Sequence, residues 1–308
     1  MKKISDDIDF LKFVGTQESQ FISNPSEFTD DVLKRFSGDE ELIGDKLPWS
    51  KTHNLVRMRP GEFSVWAGIN GHGKSQLLGQ ICAWNLHKRK WLIASLEMKP
   101  AATMHRMVRQ VSGNEMPHED YIKRFLNWTD DKLWIYDQHD TVKQNRILGM
   151  VHYAAQELGV EHIVIDSLMK CGIPKDDTEG QAAFIDRLCW AAKSENIHIH
   201  LVHHVRKGDS ETNIPGKFDV RGASEITDLA DNVFIVHRNK GKEIRMASGG
   251  EVGQDEPDCT LVVAKQRHGE WEGRFNLWFN GESMQYTPNE NNKPLPFIPG
   301  NISMDKVA

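Results

Sequence analysis

Gly68-Ile69-Asn70-Gly71-His72-Gly73-Lys74-Ser75 is a stretch whose residue types prescribe a chemistry. It fits the pattern GxxxxGK[ST]. Glycines open backbone conformations closed to other residues, so N–H groups along Gly68, Asn70, Gly71, His72 and Gly73 can turn toward phosphate oxygens. Lys74 adds a mobile point charge, the Ser75 hydroxyl suits Mg²⁺, and the start of a helix adds its dipole. A Mg²⁺–nucleotide site also needs an acid at the end of a buried strand. His162-Ile163-Val164-Ile165-Asp166 supplies it, with Asp166 holding the Mg²⁺ shell. A helix N-cap is the other use of such an Asp. Trp91–Met98 ends a second apolar run in Glu97, which can orient and polarise an attacking water or be a surface carboxylate.

These groups need a scaffold that brings strand ends together. Short apolar runs rich in β-branched and aromatic residues recur at Phe63–Ala67, Trp91–Leu96, Leu133–Tyr136, His162–Ile165, Ile197–Val202, Val233–Val236 and Thr260–Ala264. Helical patterns lie between them near 74–89, 100–112, 118–128, 143–158 and 179–195. The alternation implies an α/β fold, a mostly parallel sheet flanked by helices. Arg274–Tyr286 alternates as an antiparallel hairpin turning at Asn280-Gly281. The division expected is an acidic arm at 1–46, one nucleotide-binding α/β domain at 47–286 and a flexible Pro- and Asn-rich tail at 287–308.

The formal net charge of −6 disfavours a broadly basic nucleic-acid surface. Its location matters more. Residues 1–46 hold eleven acids and six bases, a net −5, which leaves −1 for the rest. A nearly neutral body can still concentrate cations on one loop. No apolar run approaches the ~20 residues of a membrane helix, and the N-terminus lacks the apolar stretch of a secretory signal. Four scattered cysteines read as reduced thiols, and a cytoplasmic location is expected. His198, His200, His203 and His204 crowd one strand; zinc binding is the sharp reading and core packing the bland one. Trp49, Trp84 and Trp190 fall on apolar faces and read as core.

Ser95-Leu96-Glu97-Met98 after this phosphate loop, and Arg59-Pro60-Gly61-Glu62 before it, resemble DnaB-type replicative helicases. Ile163–Ser167, Leu201-Val202-His203-His204, Arg221–Asn232 and Lys265-Gln266-Arg267-His268-Gly269 resemble the family's later motifs, in order. The resemblance runs from about Leu47 to Tyr286. The histidine form of the third motif is that of phage primase-helicases and the mitochondrial helicase Twinkle; bacterial members usually carry Gln there. The resemblance implies a RecA-like P-loop NTPase fold, ATP and Mg²⁺ as cofactors, and roles by position. Glu97 would be the catalytic base and His204 a γ-phosphate sensor. Arg267 would be an arginine finger acting in trans, with Lys265 beside it; exposed strand-end cations are the plain alternative. Arg238 aligns with a base-stacking arginine, and Phe279, after a one-residue gap, with an aromatic base stacker.

The same resemblance implies a homo-hexameric ring on single-stranded and forked DNA. Loops Lys170–Thr178 and Arg206–Phe218 would line its channel, the second with Arg206, Lys207 and Lys217. A primase or polymerase is a candidate partner, and the N-terminal arm a candidate subunit contact. The short form and the histidine motif suggest a bacteriophage replicative helicase in a host cytoplasm. The alternative is a RecA- or KaiC-like DNA-stimulated ATPase in recombination, or a loading or regulatory factor that does not unwind.

Overall fold

The computed structural model describes residues 24–37, 43–138, 141–205, 212–220, 223–253, 255–291, 293–294 and 296–297. The strands are β1 Phe63–Gly68, β2 Trp91–Ser95, β3 Leu133–Tyr136, β4 His162–Asp166, β5 His198–His204, β6 Asn232–Arg238, β7 Cys259–Gln266, β8 Gly273–Asn280 and β9 Gln285–Thr287. They form one sheet in the order β3-β2-β4-β5-β1-β6-β7-β8-β9. The strands from β3 to β6 pair in parallel, and those from β6 to β9 antiparallel.

The helices are α1 Thr29–Ser37, α2 Lys74–Asn85, α3 Pro100–Ser112, α4 Glu119–Trp128, α5 Gln144–Leu158, α6 Thr178–Ser194, α7 Ala223–Leu229 and α8 Lys240–Ala247. Two cores follow from strand alternation. Phe63, Val65, Ile163, Ile165, Ile199 and Leu201 face the packing sides of α5 and α6. Trp66, Trp91, Ile93, Val164, Val202 and Phe234 face α2, α3 and the segment carrying Leu47, Trp49 and Met58. Strands covered on both faces must be apolar throughout, which is why they read as unbroken runs. Among the described residues no helix is long and apolar enough to cross a membrane.

The structure departs from expectation in several places. Trp190 is 43% exposed, with its ring against the edge of His152. It lies on the outer stripe of α6 with Asp186 and Lys193, while Phe184, Leu188 and Ala192 face the sheet. Trp84 is half-buried, edge-on to Phe297 from the C-terminal segment. Antiparallel pairing begins at β7, before the expected hairpin. The β6–β7 connection carries only short α8, pinned to the chain entering β7 rather than crossing a face. The hairpin turn spans Gly281–Met284, with Asn280 Oδ1 accepting from the Ser283 N–H and hydroxyl, 2.8 Å each. The sequence pattern also missed helices α7 and α8, both short and polar.

The histidines of β5 follow strand parity. His198 and His200 stack at 4.3 Å, and His162 of β4 stacks on both. Their ring nitrogens engage Ser64, the Arg59 carbonyl, Trp66, Asp45 and one another. No three-residue metal cluster occurs among the described residues. Arg206, Lys207, Arg221 and Gly222 lie outside the described residues.

Candidate active site

β1 delivers the chain into the glycine-rich loop at the carboxyl edge of the sheet. Gly68 is required by close approach: a Cβ there would overlap the Val236 carbonyl oxygen. Gly73 has φ +87°, and the Tyr286 hydroxyl occupies the space a Cβ would take. Open space lies over Gly71. The Lys74 ammonium curls back and donates to the carbonyls of Gly68 and Ile69, both at 2.9 Å. Burial lowers its pKa to about 8, against the pull of Asp166 and Glu97.

β4 ends two strands away, across β5, and sets Asp166 at the cavity floor, where it accepts the Ser75 hydroxyl. Burial raises its pKa to about 6, with Glu97 adding repulsion and Ser75, Lys74 and Arg106 opposing. β2 lies beside β4, with Ser95 in register with Asp166, so Glu97 emerges at the same rim. Its Oε1 accepts the Ser167 hydroxyl at 2.5 Å. The Asp166–Ser167 peptide is cis.

The strand ends enclose a cavity of about 580 Å³, a size suited to a nucleotide. Asn70, Gly71, Gly73, Lys74, Ser75, Glu97, Asp166 and His204 line it, and Arg238 and Phe279 lie on its wall. His72 is different: its side chain is buried below the loop, with Nδ1 accepting the Arg238 N–H at 3.1 Å. Burial first, then His237 and nearby cations, push its pKa down to about 4. His72 therefore ties the loop to the end of β6, and only its backbone is available to a ligand. Gly68 lies beneath the cavity as the acceptor of Lys74.

Lys265 and Arg267 do not reach this cavity within the chain. Lys265 Nζ donates to the carbonyls of Thr227 and Asp228 at 2.8 and 2.9 Å. Arg267 reaches the carbonyls of Asp228 and Leu229 and pairs with Asp231 at 3.3 Å. Both cations thus serve the negative end of α7, with the Arg267 side chain 40% exposed.

Sequence reasoning missed Arg106, Glu243, Asp258 and Tyr286, which also line the cavity. Arg106 comes from α3, with Nη1 donating to Met98 Sδ at 3.0 Å. Its position one helical turn before Gln110 gave a helix face, but not a target.

The fold resembles that of several solved proteins. A solved ATPase domain matches with a TM-score of 0.71 and 17% identity, over 87% of this chain and 100% of that one. A DnaB-like replicative helicase, studied with its primase interactions, matches at 0.70 and 16%, over 86% of this chain and 68% of that one. A KaiC-like protein of the archaeon Pyrococcus horikoshii matches at 0.57 and 12%, over 79% and 97%. In sequence, the chain is 21% identical over 238 residues to the chloroplastic/mitochondrial Twinkle homolog of Arabidopsis thaliana, covering 70% of this chain. It spans 33% of that relative's length. Residues 53–288 match the family described as DnaB-like helicase C terminal domain, and the chain belongs to that family.

Proposed function

We propose that the chain is the motor of a ring-forming replicative DNA helicase, which hydrolyses ATP to move along single-stranded DNA and unwind duplex. The observation that carries this reading is the convergence of Lys74, Ser75, Asp166, Glu97 and His204 on one nucleotide-sized cavity while Arg267 lies elsewhere. An in-trans arrangement requires Arg267 to lie away from its own chain's cavity, as it does here.

The donor set fits Mg²⁺: a hydroxyl and a carboxylate, both hard oxygens, with the carboxylate's ionisation opposed by burial that a cation relieves. Ser75 and Asp166 would hold it, and when bound it would neutralise charge on the β- and γ-phosphates. Lys74 exchanges its loop carbonyls for phosphate oxygens. Glu97 orients the attacking water and takes its proton as the bond to the γ-phosphate breaks and ADP leaves. His204 senses the γ-phosphate. Arg267, with Lys265, reaches a neighbour's nucleotide, a contribution worth about 10³–10⁵ in rate.

The loops after β4 and β5 contact the DNA. Exposed Lys217 belongs to the second, whose base is pinned by the Val205–Val220 bridge. The domain division, with an arm at 1–46 and a tail at 287–308, a hexameric state and a bacteriophage origin belong to the same proposal.

Lys74→Ala is expected to abolish ATP hydrolysis, and near-normal turnover would sink the motor reading. The likeness to a KaiC-like protein supports a second reading, an ATPase without unwinding. A forked duplex with a 5′ tail separates the two: ATP-dependent displacement selects the helicase, and DNA-stimulated hydrolysis without displacement selects the other.

A further inference from the structure

At the end of the cavity away from Asp166, the short helix α8 contributes Glu243 and is tied down by several polar contacts. Asn239 caps it through Oδ1, accepting the Lys242 N–H at 2.9 Å. The Asn239 amide also donates to Glu256 Oε1 and the Pro257 carbonyl, 3.0 Å each. Lys242 Nζ donates to the Glu256 carbonyl at 2.6 Å and pairs with Asp258 at 2.9 Å. Arg245 pairs with Glu256. Pinned this way, α8 presents Glu243 to the cavity.

A carboxylate in a polyanion site is unfavourable unless it is neutralised. Glu243 Oε1 accepts from Arg238 Nε, and Oε2 from Lys240 Nζ at 2.9 Å. Burial works against its ionised form, yet these two cations hold it below the usual carboxylate range. The carboxylate takes the Nε edge of Arg238, whose side chain is 45% exposed, and a guanidinium held by its edge can stack its face on a planar ring. Register brings a second flat group to the same end. Arg238 lies beside Cys259, and Cys259 beside Leu277, two residues before Phe279. Asp258 Oδ2 fixes the Phe279 N–H at 2.9 Å, and the Phe279 ring leans on Tyr286 at 5.2 Å.

We propose that Glu243 is a positioning residue for the nucleobase: it holds Arg238 so that the guanidinium plane and the Phe279 ring together take the base. The inference rests on the reading of this cavity as a nucleotide site. Opposite-charge pairs at this exposure are modest, and so is one cation–π wall, so the effect is one of affinity and not of chemistry.

The test uses the full chain and steady-state ATP hydrolysis, with inorganic tripolyphosphate as a competitor that has phosphates and no base. Glu243→Ala is expected to raise KM for ATP about three- to tenfold, with a smaller change in kcat. Glu243→Gln keeps an oxygen for Arg238 and is expected to recover most of the affinity. Arg238→Ala/Glu243→Ala should bind ATP no worse than Arg238→Ala, because the two act through one contact. Tripolyphosphate inhibition should stay within about twofold throughout, since its contacts lie at the other end. An unchanged KM in Glu243→Ala overturns the proposal. So does additivity with Arg238→Ala, or a loss of tripolyphosphate affinity equal to the loss for ATP. Normal hydrolysis by Lys74→Ala instead removes the nucleotide-site reading itself.

Discussion

Asp166→Asn is expected to make the protein more stable while removing its activity. Asp166 has an ordinary pKa of 3.8, raised to about 6 in the fold by burial and by Glu97. That difference corresponds to about 3 kcal/mol, at about 1.4 kcal/mol for each tenfold change in proton affinity. The sign follows from proton binding. The folded state holds this proton more tightly than the unfolded state, so ionisation costs stability. The cost is complete above pH 6, shrinks between about 6 and 4, and is absent below about 4. Asparagine never ionises, is the same size, and keeps an oxygen for the Ser75 hydroxyl. In urea unfolding without Mg²⁺ or nucleotide, the variant should gain about 2–3 kcal/mol at pH 8, and less than about 1 kcal/mol at pH 4.5. Mg²⁺ with ATP should then stabilise the parent and not the variant, because a ligand that binds only the folded state adds to its stability. A variant no more stable than the parent at pH 8, or a gap independent of pH, would refute the electrostatic reasoning.

Three further outcomes follow from the same contacts. The profile of kcat/KM for ATP should rise with pH as Asp166 loses its proton near 6, and fall as Lys74 loses its own near 8; a flat profile from pH 5.5 to 7 contradicts this. Arg267→Ala should block hydrolysis with nucleotide binding retained, and mixing it with Lys74→Ala should restore part of the activity; fluorescent-nucleotide titration and turnover of the mixture check both. Asp45→Ala should cost about 2–4 kcal/mol at neutral pH, because Arg89 and His162 lose their common acceptor. Asp45 is held below its ordinary pKa by His162 and Arg89 against burial, so its contribution is present above pH 4 and disappears as pH falls through the lowered value. Chemical denaturation at pH 7 and pH 3 measures it.

Sequence reading reached the parts of the site that are local in the chain. The loop from Gly68 to Ser75 carries its own geometry, and strands buried on both faces show themselves as unbroken apolar runs. Glu97 and Asp166 were legible because each ends such a run at the edge where these sheets bind ligands. Tyr286 was not, because its contact with Gly73 exists only once β9 joins the far end of the sheet and lies against α2. Glu243 was not, because α8 is too short and polar to show a periodic apolar face, and its orientation depends on ion pairs to Glu256 and Asp258. Trp190 misled because it was assigned to the apolar face of its helix; it lies instead on the outer stripe of α6.

One face of the sheet carries two polar clusters, and they differ in how their groups are satisfied. Toward the strand starts, hydrogen bonds run in one direction. Trp66 Nε1–H donates to His200 Nδ1 at 3.2 Å, His200 Nε2 to His162 Nδ1 at 3.1 Å, and His162 Nε2 to Asp45 at 2.9 Å. This order is an assignment that follows from the Trp66 donor, which leaves His200 Nδ1 as an acceptor. Burial and neighbouring histidines hold His200 far below its ordinary pKa, so it stays uncharged. The one charge at the end of the relay, on Asp45, meets Arg89 at 2.8 Å. Each link of that relay is satisfied from within the protein. At the strand ends, among the described residues, Lys74 donates to loop carbonyls and Asp166 accepts a hydroxyl, while their pKa values have moved to about 8 and about 6. Lys74 is as buried as the histidines and Asp166 somewhat less so, and among the described residues neither forms a close ion pair. Phosphate oxygens for Lys74 and a divalent cation for Asp166 would return both groups toward their charged forms. Tryptophan and histidine close the first cluster from within the protein, whereas on the proposed reading nucleotide and metal would close the second.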